Sequence, residues 1–308
     1  MSKIKKREIT YMEKLSVLAP AKINLYLNVC ARRADGYHDI ESVMQTVTLF
    51  DRITVTKYPF SGKNEIELFC SEAKLPADET NLIYRAAVAF FKAAGIEKYH
   101  VSFVLEKKIP MQAGLGGGSS DAAATLLALD RLYHTAMHLE TMCAIGAKLG
   151  ADIPFCVKKG TVYTTGIGEV MVSAPPMPDC AFVIAMPKGK GISTAAAYRA
   201  IDALPADMES VKFEDFKKAL SVCDLEKISA LLYNKFEVVT PEETGCAALR
   251  EMLLATGAIG ARMSGSGTAV FAIYPHIGAA RKAKEMLPEN VEAFVCTPAR
   301  RDYPYIEA

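Results

Sequence analysis

From Leu15 to Cys30 apolar and polar residues alternate: Ile23, Leu25, Leu27 and Val29 fall on one face, Lys22, Asn24, Tyr26 and Asn28 on the other. A period of two belongs to a strand, so the pattern predicts a half-buried strand with a polar outer face. The Asp35-Gly36 step is a turn signal. Beyond it Ser42 to Lys57 and Asn64 to Cys70 are strand-like again, and the chain is expected to open as antiparallel β structure. The period then lengthens: Leu82, Ile83, Ala86, Ala87 and Phe90 predict a helix over Asn81 to Ala94. One more strand, His100 to Glu106, runs into a glycine-rich loop and an alanine- and leucine-rich helix from about Ser119 to Leu132.

A helix over Leu139 to Leu149 and strands around Val157 to Val172 are expected next. The proline-dense segment Ala174 to Pro178 then suggests a boundary between an N-terminal domain, 1–175, and a C-terminal one, 176–308. The second part has a strand at Ala181 to Met186, several helices, and two short strands flanking Met263 to Thr268. Strands and helices intermingle without strict βαβ alternation, which favours a mixed α+β architecture over a doubly wound parallel sheet.

Length agrees with two lobes, since 308 residues exceed one typical core. A net charge of +1 gives no nucleic-acid footprint. The eight cysteines are scattered without a CxxC pair, so neither a disulfide framework nor structural zinc is expected, and a reducing cytoplasm is the simplest location. No apolar run approaches a membrane span, and residues 1–14 are polar and basic without the apolar stretch of a secretory signal. Residues 1–11 are expected to add little to stability, with Met12 a plausible alternative start. His134 and His138 stand four apart but lack the acidic companion of a zincin, so a surface or packing role is expected. The expected partner is a small molecule, handled by a monomer or homodimer.

The most informative stretch runs from Pro110 to Asp121, Pro-Met-Gln-Ala-Gly-Leu-Gly-Gly-Gly-Ser-Ser-Asp. Four glycines in the five positions from Gly114 to Gly118 let backbone amides approach a ligand closely. The loop ends at a predicted helix N-terminus, where unpaired N–H groups and the helix dipole favour an anion. Strand, glycine loop and helix in that order predict phosphate binding. A Walker loop would end in Gly-Lys-Ser/Thr, and no lysine is present; a dinucleotide fingerprint would need glycine at Ser119.

The pattern Pro-x-x-x-Gly-Leu-Gly-Gly-Gly-Ser-Ser resembles the ATP loop of the GHMP kinases. Leu18-Ala-Pro-Ala-Lys-Ile-Asn-Leu25 resembles that family's first motif and Arg262-Met-Ser-Gly-Ser-Gly-Thr268 its third. The resemblance implies a two-lobed fold, the first lobe like domain 2 of ribosomal protein S5 and the second ferredoxin-like, that moves a phosphoryl group from ATP, with Mg²⁺, to a hydroxyl. The implied ATP-binding residues are Asn81, Leu82, Lys107, Pro110, Gly114, Leu115, Gly116, Gly117, Gly118, Ser119 and Ser120. Asp121 stands where some members have asparagine, which suits a charge at a helix N-terminus.

Asp35-Gly-Tyr-His38, Gly150-Ala-Asp-Ile-Pro-Phe155 and Gly166-Ile-Gly-Glu169 are similar to members that act on a cytidine diphosphate derivative. The rival readings are kinases of sugars, homoserine or mevalonate-type alcohols, or a non-catalytic nucleotide-binding protein. The resemblance makes Asp152 the carboxylate beside the acceptor hydroxyl, as a base or as an orienting group, and Lys22 the cation that offsets charge on the moving phosphoryl group. It also makes Asn24, Tyr37, His38, Ile167, Thr194 and Tyr198 substrate contacts, with Tyr37 and Tyr198 as stacking faces for the base and His38 on its polar edge. Metal ligands are not implied.

Overall fold

The computed structural model describes residues 12–187, 193–205 and 210–307, so the expectation about residues 1–11 lies outside the described residues. Two long strands, β1 (Glu13–Arg32) and β2 (His38–Lys57), form the spine of the molecule. They pair antiparallel from Glu13↔Lys57 to Arg32↔His38, with register shifts between Pro20 and Lys22 and between Asn24 and Tyr26. Bulges of this kind bend a strand and re-aim its side chains.

Strand β3 (Glu65–Cys70), helix α1 (Leu82–Ala94) and strand β4 (His100–Glu106) follow. Next come helices α2 (Gly117–Tyr133), α3 (Leu139–Ala147) and α4 (Ile153–Lys158), then strands β5 (Thr161–Thr165) and β6 (Val170–Ser173). The first sheet runs β12-β1-β2-β4-β3, with β5 on β2 and β6 on β5; its last member, β12, is Ile306–Glu307. Phe90 and Phe91 of α1 and Ala122, Leu126 and Leu129 of α2 share a core with Val55, Val101 and Phe103 of the sheet.

The second sheet contains β7 (Ala181–Ala185), β9 (Gly260–Met263), β10 (Val270–Tyr274) and β11 (Ala293–Cys296), in the order β11-β7-β10-β9. Its adjacent strands are all antiparallel, which is the ferredoxin-like arrangement. Helices α5 (Thr194–Ile201), α6 (Phe213–Ser221), α7 (Leu225–Ala230), α8 (Cys246–Ala255) and α9 (Ile277–Met286) surround it. One short strand from this half, β8 (Tyr233–Asn234), crosses over to pair with Tyr26 and Leu27 of β1. No helix among the described residues is long and apolar enough to cross a membrane.

Two expectations are corrected. Strand β1 is not half-buried: Lys22, Asn24 and Tyr26 are as enclosed as Ile23 and Leu25. The second lobe supplies the other cover, with Tyr26 packed 5.2 Å from Phe213 and 5.8 Å from Phe216 of α6 and donating its hydroxyl to the Val211 carbonyl at 2.6 Å. Residues Ile153 to Lys158 form α4, so Val157 lies in a helix and does not begin a strand. Periodicity cannot tell a short apolar run in a strand from one in a helix, and Pro154 in the first turn favours the helix.

Helix α3 contacts α4 through Gly146, where a Cβ would lie 2.5 Å from Ile153 Cγ2. Gly146→Val is expected to lower stability by about 1–3 kcal/mol through overpacking. A lower thermal midpoint checks this; an unchanged one would mean that α4 shifts freely away from α3.

Candidate functional site

The glycine loop and the third motif meet backbone to backbone. Gly114 has φ 77° and a Cβ there would sit 2.0 Å from the Ser264 carbonyl oxygen, so both its conformation and its surroundings require glycine. Ser264 Oγ donates to the Gly114 carbonyl at 2.9 Å, and the Ala269 amide donates to the Ala113 carbonyl at 3.0 Å. The Asn234 side chain shapes the far side by donating to the carbonyls of Met263 at 2.7 Å and Gly265 at 2.8 Å.

Pro110 leads into this loop and Gly116 precedes the first residue of α2, with no side chain capping the helix start. The first turn is Gly117, Gly118, Ser119 and Ser120, and the Ser120 hydroxyl is buried without a partner among the described residues. Unpaired amides at the end of a seventeen-residue helix form an anion site. Leu82 Cδ1 lies 3.5 Å from the place of a Cβ on Gly118, which puts it beside the loop. Asn81 serves the fold by capping α1, accepting from the Ile83 amide at 2.9 Å and donating to the Pro76 carbonyl at 2.7 Å.

Lys22 lies at the seam of the three motifs. Its amide donates to the Leu115 carbonyl at 2.9 Å, and its stem lies under Gly116, where a Cβ would meet Cγ at 2.9 Å. The ammonium donates to Asn24 Oδ1 at 2.8 Å and lies 3.6 Å from Asp152 Oδ2. Asn24 in turn donates to Ser42 Oγ at 2.9 Å, and Ser42 to the Tyr26 carbonyl at 2.7 Å. Asp152 stands at the N-terminus of α4 without capping it, and 35% of its side chain is exposed. One polar chain therefore connects the strand interior to an accessible carboxylate beside the glycine loop.

Beneath the loop Lys107 donates to Asp121 Oδ2 at 2.8 Å and to Asp51 Oδ2, all three side chains being enclosed. Asp51 Oδ1 also accepts from the amides of Lys108 and Ile109, so a single carboxylate on β2 fixes the start of the loop. Burial alone would pull the Lys107 ammonium down, yet the two carboxylates outweigh it and hold its pKa above the ordinary lysine value. Burial pushes Asp121 up to about 8, with Lys107 opposing the rise and Asp51 adding to it. Two carboxylates around one ammonium carry least net charge when one of them holds a proton. Sequence reasoning misses both Asp51 and this use of Lys107; the only signal available is a lone carboxylate in the β-branched run of β2.

The remaining predicted residues lie on the β1–β2 turn, the start of β2, α5 and the β5–β6 turn. His38 and Tyr198 stack with ring centroids 5.0 Å apart and planes at 22°, while Tyr37 is 62% exposed on the preceding turn. Tyr198 thus faces His38, and its edge contact is Phe236 at 5.0 Å. Thr194 hydrogen bonds through its hydroxyl to that of Ser266 at 2.8 Å, joining α5 to the third motif. Ile167 lies on the β5–β6 turn, whose Gly166 carbonyl accepts from the Ile40 amide at 2.7 Å.

Known proteins resemble this chain over most of its length. Residues 81–160 match the GHMP kinases N terminal domain and residues 216–293 the GHMP kinases C terminal model. A 4-diphosphocytidyl-2-C-methyl-D-erythritol kinase from Lachnoclostridium phytofermentans is 38% identical over 88% of this chain and 92% of its own. One of the same name from Exiguobacterium sibiricum is 40% identical over 86% of this chain and 91% of its own. A crystal structure of 4-(cytidine 5'-diphospho)-2C-methyl-D-erythritol kinase superposes with a TM-score of 0.76 at 34% identity, covering 92% of this chain and 98% of that one.

The buried cluster makes stability depend on pH. Folding raises the Asp121 pKa, so its contribution to stability is full below the unfolded value of about 3.9. It is lost as pH rises through the folded value of about 8. Asp121→Asn is expected to remove that loss and flatten the decline of the thermal midpoint across this window. Parallel profiles for the two proteins would show that Asp121 carries no such proton.

Proposed function

The chain belongs to the GHMP kinases and, within them, to the 4-diphosphocytidyl-2-C-methyl-D-erythritol kinases, and we propose that it transfers the γ-phosphoryl group of ATP to the 2-hydroxyl of 4-diphosphocytidyl-2-C-methyl-D-erythritol, yielding the 2-phosphate and ADP. This is a step of the non-mevalonate route to isoprenoid precursors and takes place in the cytoplasm. The observation that carries the reading is the Lys22 ammonium 3.6 Å from the Asp152 carboxylate, at the seam where two glycine loops meet. Both groups come from one chain, so the reading requires no second copy. The domain boundary near residue 175 belongs to the same proposal, supported by two family models matching on either side of it.

In this reading the amides of Gly116 to Ser119 hold the phosphates of ATP, with Leu82 beside them, the Ser120 amide being already bonded to the Gly116 carbonyl at 2.9 Å. The acceptor oxygen forms a bond to the γ-phosphorus as the bond from that phosphorus to the β,γ-bridging oxygen breaks, and ADP leaves with the charge. Asp152 orients the hydroxyl and accepts its proton, which then passes to solvent. Lys22, held by Asn24, offsets the charge on the equatorial oxygens; in a loose transition state such fixed charge and positioning supply most of the rate. Mg²⁺ would be held by the Ser120 hydroxyl, unpartnered among the described residues, together with the nucleotide, and would neutralise phosphate charge. Among the described residues no group of three His, Cys, Asp or Glu could hold a metal, and a cation carried on phosphates needs none. Tyr37 and Tyr198 offer aromatic faces to the cytosine and His38 its polar edge.

A coupled ATPase assay of the purified protein against a panel of alcohols tests the assignment. Faster turnover of mevalonate or homoserine than of the cytidyl substrate would overturn it. Lys22→Ala and Asp152→Asn are each expected to lower turnover by on the order of a hundredfold or more in folded protein. Near-normal turnover of Asp152→Asn would remove that residue from the chemistry. Gly117→Val, whose Cβ would lie 2.9 Å from Lys107 Nζ, is expected to weaken an ATP analogue in calorimetric titration far more than the acceptor substrate.

A further inference from the structure

The side chain of Asp202 takes no part in the phosphoryl transfer, yet its surroundings are specific. It follows the last residue of α5. A helix C-terminus disfavours negative charge, so a carboxylate there needs a local reason. That reason is His38, whose Nε2 lies 2.6 Å from Asp202 Oδ1. Only 7% of the imidazole side chain is exposed, against 30% for Asp202. Arg32 Nη1 approaches the other carboxylate oxygen at 3.4 Å. Tyr198, four residues before Asp202 on the same helix, stacks on the imidazole and fixes its plane. The Asp202 amide donates to the Tyr198 carbonyl at 3.1 Å, so both contacts to His38 are delivered by one turn of backbone. The His38 Nδ1 has no protein hydrogen-bond partner among the described residues.

A carboxylate only accepts hydrogen bonds, so the contact at Nε2 requires a proton on that nitrogen. In a neutral imidazole the other nitrogen then presents a lone pair and accepts. Cytosine and uracil differ at this level of chemistry: position 4 of cytosine carries an amino group that donates, position 4 of uracil a carbonyl that only accepts. A fixed acceptor facing that position bonds cytosine and repels uracil. With the opposite tautomer the preference would invert.

We propose that Asp202 is a positioning residue for base specificity, holding His38 as the Nε2–H tautomer so that Nδ1 accepts from the amino group of cytosine. This rests on the reading of the acceptor as a cytidine diphosphate derivative. Stacking on Tyr37 or Tyr198 tolerates either base, so the discrimination is carried by the polar edge that Asp202 sets.

Two measurements test it. Nitrogen NMR of ¹⁵N-histidine-labelled wild-type protein at neutral pH, with the His38 signals identified by their loss in His38→Asn, is expected to give a protonated Nε2 and an unprotonated Nδ1. A protonated Nδ1, as the other tautomer or as imidazolium, overturns the proposal without any activity being measured. The second measurement compares specificity constants for the cytidine and uridine forms of the acceptor in Asp202→Ala and Asp202→Asn. Asp202→Ala is expected to shrink the cytidine-over-uridine ratio by about tenfold or more, the scale of one lost buried hydrogen bond, with the KM for ATP unmoved. Asp202→Asn, whose amide oxygen accepts the same bond, is expected to keep most of the ratio. An Asp202→Ala enzyme that folds and retains the wild-type ratio overturns the proposal alone. A wild-type enzyme that phosphorylates neither form overturns the substrate reading, and this proposal with it.

Discussion

The contact on which the site depends is the one between two backbones, Gly114 of the loop before α2 and Ser264 of the turn after β9. No side chain fits at Gly114, where a single added carbon would sit 2.0 Å from a carbonyl oxygen. The loop belongs to the first lobe and the turn to the second, so their approach fixes how the lobes meet. Lys22 runs through the same seam, its stem under Gly116 and its ammonium 3.3 Å from where a Cβ on Gly265 would be. Three glycines in two motifs therefore hold one lysine in place, and changing any of them displaces the charge as well as the loop.

Enclosing that lysine would be costly if its charge were left unpartnered. The solution is asymmetric. Asn24 gives the ammonium a neutral acceptor inside the strand, and Asp152, partly open to solvent, gives it a carboxylate at the mouth. The Lys107 cluster is the contrary case, with two enclosed carboxylates on one ammonium and no route to water for the charge. Of the two, only the Lys22 pair has an accessible member, which is the property needed by a group that must meet a substrate hydroxyl.

Local pattern makes the long elements legible. Alternation marks β1, helical spacing marks α1 and α2, and the glycine loop stands out because its residue types have few other uses. Patterning also puts Lys22 and Asn24 on one face of a strand, which is why their pairing is no surprise. What it cannot express is that β1 is covered on both faces, since the second cover comes from Phe213 and Phe216, far along the chain. Asp51 and Asp202 escape for the same reason: their partners lie 56 and 164 residues away, and nothing near a lone aspartate says which distant group it will meet. Val157 escapes because a short apolar run satisfies either period until tertiary contacts decide.

Chain order adds a condition on how the molecule is made. Strand β1 is bordered on one side by β2, while its other side is covered by the loop before α2 at Lys22, by β8 at Tyr26 and Leu27, and by β12 at Ser16 and Val17. Lys159, at the end of α4, likewise rests its ammonium 3.8 Å over the ring of Tyr305. A ribosome delivers β1 early but β8 and β12 late. Vectorial synthesis therefore cannot complete the first lobe before the second begins, and the nascent chain carries a partly open strand edge, exposed to mispairing, until β8 and β12 have emerged.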